Sequence, residues 1–161
     1  MTQPAIIPDD LAQTIGGPVM IVVSVANDRF RATIGRSNGA AYCADGRIDV
    51  FISAEQCPDT VENATPGRDI AVTFGDPSTY QCWQVKGVIE EASLATATDV
   101  ARCRLYVERV VTLLTGWDVT RQQLSHTFCT VKLWRVRLRP RDIFNQTPGQ
   151  GAGDRISGVS A

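Results

Sequence analysis

Arg31, Thr33, Arg36, Ser53, Gln84 and Lys86 are the side chains whose types and spacing offer the most coherent chemistry in the chain. An arginine grips a phosphate or carboxylate with a planar fork, and a lysine does so as a point charge. Hydroxyls such as those of Thr33 and Ser53 complete a cradle of that kind. The amide of Gln84 donates and accepts at once along the edge of a heterocycle. Gln84 and Lys86 stand two residues apart and so project from one face of a strand, as do Arg31 and Thr33. Brought together by neighbouring strands, these groups would hold a phosphate and a flat polar ring. Ordinary solvent-facing strand residues give the same pattern, so both readings stay open at this point. The poverty of charge at Thr33, Gly35, Cys82 and Val88 favours a covered face. A second copy of the chain would cover it and leave clefts at its ends.

Other chemistries lack their parts. Ser53, Cys57 and Cys82 are conceivable nucleophiles, but His126 is the single imidazole and no GxSxG elbow is present. Cys82 suits a buried interface position better than a reactive one. The glycines within residues 149–153 have neither a strand before them nor a helix after them, so they form no dinucleotide fingerprint. Asp9-Asp10 and Glu90-Glu91 are adjacent pairs whose side chains point apart, a poor geometry for acid–base work. One histidine and five cysteines in no CxxC pair give no expected metal site. A net charge of -1 and a pI near 5.8 give no electrostatic basis for nucleic-acid binding. The first ten residues show no basic segment ahead of an apolar run, and residues 19–25 are too short to cross a bilayer. No membrane partner is expected, and the expected setting is a reducing cytoplasm with free thiols.

The elements that must position these groups follow from periodicity. A chain of 161 residues with 43% hydrophobic content supports one domain, assigned to residues 1–150, with residues 151–161 as a flexible tail too rich in Gly for regular structure. Residues 8–15 form a short helix. Residues 19–25 are the strongest strand signal, and Asn27 and Asp28 make a hairpin turn. In the next strand, 30–36, Phe30, Ala32 and Ile34 are the expected core face and Arg31, Thr33 and Gly35 the outer one. Residues 37–46 read as a loop. Ile48, Val50 and Ile52 mark a third strand, followed by a short helix interrupted near Pro58. Ile70, Val72 and Phe74 mark a fourth strand. In the fifth, residues 79–91, Trp83, Val85, Gly87 and Ile89 face the core. A long helix capped by Thr98 runs to Gly116 on an apolar stripe that includes Cys103, Val110 and Val111. A sixth strand covers 128–138. Each strand has one good apolar face, as in a small closed barrel. The fold class is therefore mainly β with flanking helices, a six-stranded antiparallel barrel.

The strand order carries a resemblance, as do the segments Arg31-Ala32-Thr33-Ile34-Gly35-Arg36, 48–53, 68–74 and Gln84-Val85-Lys86-Gly87. With the ending 142–149 added, residues 7–153 resemble the pyridoxamine 5'-phosphate oxidase-like superfamily of FMN-binding split barrels. The resemblance implies a split β-barrel homodimer with FMN at the subunit interface and oxidoreductase activity on a small-molecule substrate. It assigns Arg31, Thr33 and Arg36 to the flavin and its phosphate, and Ser53 to the segment that closes over the phosphate. Gln84 falls to the ring, and Lys86 to phosphate or ring. It implies no catalytic residue. The departure is Gln56-Cys57-Pro58-Asp59, where oxidases that bind FMN tightly carry a Ser-Arg-Lys-like run and this chain has one anion and no cation. Pyridoxamine phosphate oxidase activity itself is not expected on that account. The alternative expectation is a non-catalytic dimeric module for haem, a deazaflavin or another planar cofactor.

Overall fold

The structure, a computed structural model, describes residues 5–158. In chain order its elements are α1 (Asp9–Ile15), β1 (Met20–Ala26), β2 (Ala32–Tyr42), β3 (Ile48–Ser53), α2 (Pro58–Asn63), β4 (Asp69–Gly75), β5 (Cys82–Leu94), α3 (Ala97–Thr115), α4 (Arg121–Leu124), β6 (Leu133–Asn145) and β7 (Arg155–Gly158). All strand pairings are antiparallel. The order β3-β2-β1-β4-β5-β6, closed by β3 on β6, makes the expected six-stranded barrel. Side chains of β1, β3, β4, β5 and β6 fill it. Val23, Val25, Val50, Ile52, Val72, Phe74, Val85, Val136 and Leu138 are all 0% exposed.

Outside the barrel, α3 packs over β2 and β3. Tyr106 and Val110 join the main core, while Cys103 meets Phe51 and Leu133 in a second cluster. That is why β3 is buried on both faces. The helix is capped at Thr96, two residues before the expected Thr98. Thr96 Oγ1 accepts from Asp99 N–H, and the Asp99 carboxylate accepts from Thr96 N–H. This reciprocal pair outcompetes Thr98, which has no such partner three residues on.

Four further expectations change. β2 turns its faces the other way. Thr33 lies opposite Val25 and Gly35 opposite Val23, so both share the interior side, while Ala32, Ile34 and Arg36 face outward. The cause is α2. A Cβ on Gly35 would come within 2.8 Å of Thr60 Oγ1 and 3.1 Å of Cys57 Cβ, so no side chain fits inside and the apolar stripe is turned out. Residues 37–42 are strand, not loop. They pair with β3 across a bulge in which Ser37 Oγ donates to Gly39 O and accepts from Phe51 N–H. The sixth strand lies at Leu133–Asn145 and passes straight through Pro140. Beyond Gly151, where composition gives no regular structure, Arg155–Gly158 pairs with β6 as β7, and residues 159–161 lie outside the described ones. Among the described residues no helix is long and apolar enough to cross a membrane.

Candidate functional site

The barrel is open along one seam. Residues 32–36 of β2 pair with β1 but not with β3, whose pairing begins at Ser37. α2 fills part of the gap and leaves a cleft of about 310 Å³ lined by Ala32, Thr33, Ile34 and residues 56–60. Thr33 Oγ1 donates to Val25 O at 3.0 Å. Gln56 Nε2 donates to the carbonyls of His126 and Thr127, and its Oε1 is buried without a partner. Asp59 carries the only charge in this lining.

A second cleft, of about 240 Å³, lies on the outer face of β1, β4 and β5. Ser24, Ala26, Phe30, Ala32, Ile70, Ala71, Asp69, Lys86 and Arg141 line it. Ala32 lines both clefts. The floor between them follows from register. Ile34 lies opposite Ser24, Ser24 opposite Ala71, and Ala71 opposite Lys86; one row along, Val22, Thr73 and Gln84 are cross-strand neighbours. Most of these side chains are small, so the face is flat. Gln84 Nε2 donates to Thr73 Oγ1 at 3.3 Å, and Lys86 Nζ stands 4.6 Å from the centroid of the Phe144 ring. Apolar groups remain uncovered around it: Ile34 is 72% exposed and Phe30 94%. Phe30 also sits at φ 56°, a left-handed conformation that costs a non-glycine residue about 1–2 kcal/mol.

Of the residues singled out from sequence, Gln84 and Lys86 therefore fall on this face, while Thr33 is on the interior side of β2 and lines only the cleft at α2. Arg36 faces outward too, but its guanidinium packs 5.9 Å from the Phe128 ring centroid, and its N–H donates to Cys57 Sγ. Arg31 is exposed at the end of the β1–β2 turn, where its carbonyl accepts from Asn27 N–H. Ser53 is 0% exposed. Its hydroxyl donates to Val131 O at 2.7 Å and accepts from Gln56 N–H, which fixes the loop before β6. His126 contributes a main-chain carbonyl to Gln56. Burial raises the Cys82 thiol above its ordinary range, which disfavours the thiolate. Among the described residues no three His, Cys, Asp or Glu side chains gather as a metal site.

Arg141 and Phe144 are what sequence reasoning missed, because Pro140 reads as the end of a strand. Gly87 explains the geometry. β6 bulges between Pro140 and Asp142, and a Cβ on Gly87 would lie 2.3 Å from Arg139 O. Only glycine permits that approach, and the bulge it permits sets Arg141 in the lining of the second cleft.

No protein-family model and no curated protein matches the sequence. Solved structures do. HupZ of Group A Streptococcus superposes with a TM-score of 0.52 at 15% identity, over 92% of this chain and 100% of that one. An F420 reductase gives 0.53 at 11%, over 85% and 98%. A pyridoxamine 5'-phosphate oxidase-like protein of Lactobacillus delbrueckii gives 0.50 at 8%, over 86% and 93%. These likenesses show a shared fold, an antiparallel split barrel.

Proposed function

We propose that the protein binds a planar cofactor of the flavin class, FMN being the expected one, on the outer face of β1, β2, β4 and β5, and that it serves as an oxidoreductase for a small substrate. The observation that carries this reading is the flat floor of Ser24, Ala71 and Thr73 with a cleft at each side and uncovered Ile34 and Phe30 at its rim. Small residues let a ring lie against the sheet, and the Gln84 amide offers a donor and an acceptor to its edge. A bound flavin would supply the electron transfer, while this chain supplies the surface, the orientation and the exclusion of water. A second copy of the chain seated on Ile34 and Val22 would close the other side of the ring. Two fold neighbours are named for redox chemistry, a reductase and an oxidase, which supports the same reading.

One part of FMN does not fit where the family resemblance would put it. The cleft at α2 presents Gln56, Cys57, Pro58, Asp59 and Thr60, with no cation to neutralise a phosphate and one carboxylate to repel it. This mismatch favours, as the second reading, a non-catalytic module for haem, a deazaflavin or another planar ligand. The absorption spectrum of the purified protein, recorded before and after addition of FMN and then NADH or NADPH, tests both. Flavin bands that bleach with a reductant and return with an acceptor support the oxidoreductase. A haem band, or flavin that binds without turnover, supports the module. A blank trace with no response to FMN or haemin contradicts both.

A further inference from the structure

The mismatch at α2 leaves open where the ligand's charged group goes, and the second cleft answers it. We infer that an oxyanion of the planar ligand, phosphate or carboxylate, is held by Lys86 and Arg141 at the β5–β6 bulge, on the far side of the face from α2. The inference rests on the cofactor reading above and moves the charged group away from Arg31, Arg36 and Ser53, to which the resemblance first assigns it.

Lys86 makes no ion pair among the described residues. Its ammonium is held over the Phe144 ring, exposed and ready for an anion. Asp142, its cross-strand neighbour, is bound instead by Arg155 at 2.5 Å. Arg141 gives Nη2 to Asp69 Oδ1 at 3.0 Å, while its Nε is buried without an acceptor. Asp69 thus offsets one of the two cations in the cleft and leaves the other uncompensated. An incoming oxyanion meets a point charge at Lys86 and a guanidinium whose donors are only partly used. At the opposite cleft it meets Asp59 alone. The two clefts differ in sign, so a ligand with a neutral ring and one anionic tail has a single favourable orientation.

Dissociation constants for riboflavin, FMN and haemin test this, measured by fluorescence quenching or absorbance on the wild-type protein and on Lys86→Gln, Arg141→Gln and Asp59→Asn. Riboflavin carries the ring without an oxyanion, FMN adds a phosphate, and haemin carries carboxylates. The expected result is FMN bound at least about tenfold more tightly than riboflavin by the wild type, with that preference lost in Lys86→Gln. If only haemin binds, its affinity should fall by a similar factor in Lys86→Gln. Where Arg141→Gln proves unstable by thermal melting, Lys86→Gln decides alone, since an exposed lysine is dispensable to the fold. An oxyanion preference that survives both charge removals overturns the inference while the cofactor reading stands. So does a preference for FMN that strengthens tenfold in Asp59→Asn, because the phosphate then lies at α2. Failure of all three ligands to bind the wild type removes the cofactor reading, and this inference with it.

Discussion

Gly87 shows how one residue fixes a site it never touches. Its missing side chain lets the Arg139 carbonyl press against β5, and that contact is the bulge that sets Arg141 beside Lys86. Gly87→Ala should destabilise the protein by about 3 kcal/mol through this clash, read as a lower urea midpoint. A fall below about 1 kcal/mol would mean that β6 moves aside and the bulge is soft. The site was legible in sequence only where chemistry and strand period agreed. Gln84 and Lys86 stand out as a polar pair opposite the apolar face of Trp83, Val85 and Ile89. Ser53 reads the same in sequence whether its hydroxyl ties down a loop, as its bond to Val131 O does, or awaits a phosphate. Arg31 and Arg36 stand out in sequence by charge, and charge alone does not tell which way a side chain leaves the sheet.

Among the elements, β6 repays attention because its arginines form a ladder across its neighbours. Arg135 pairs with Glu91, Arg137 with Asp49, and Arg139 with Glu90, which Arg47 also holds. Hydrogen bonds from Arg47 and then Arg139 lower the pKa of Glu90, and the bond from Arg135 lowers that of Glu91. Lowered folded-state values mean that the unfolded chain takes up protons first as the pH falls. The stabilisation is complete above the ordinary glutamate pKa near ~4.3 and is lost as the pH drops through the folded values. The Glu90 and Glu91 pairs stand at the surface in partial contact with water, so solvent screening keeps the contribution of each small. Thermal melts between pH 6 and 3 (roughly the glutamate range and two units of margin) should show the midpoint falling, less steeply in Glu90→Gln. An equal slope in the variant would remove Glu90 from the account. The same element explains a misread boundary. Proline breaks a strand that is paired on both sides, but Pro140 sits where β6 has left β3 and has not yet met β7. Its position in the ladder, invisible in one dimension, makes it tolerable.

At the scale of the molecule, the barrel was legible because its strands carry one apolar face each, and the inversion of β2 was not, because its apolar face reads as the interior one until α2 is in place against Gly35. Phe30, Ala32 and Ile34 look like interior residues for a physical reason: they need covering, and the barrel interior does not provide it. A homodimer that buries Ile34 and Val22 is the expected solution state. Ile34→Asp should shift sedimentation toward the monomer and weaken cofactor binding together, whereas a wild-type monomer at micromolar concentration would place the covering elsewhere. The central claim is that a planar ring lies on the face between the two clefts. A fluorescence titration with FMN, run on the wild type and on Ala71→Trp, tests it most directly, since an indole at position 71 fills the floor without entering the core. Saturable binding of one FMN per chain, abolished by Ala71→Trp in a protein that still melts cooperatively, is the predicted result. Undiminished FMN binding by Ala71→Trp, or none by the wild type, would contradict it.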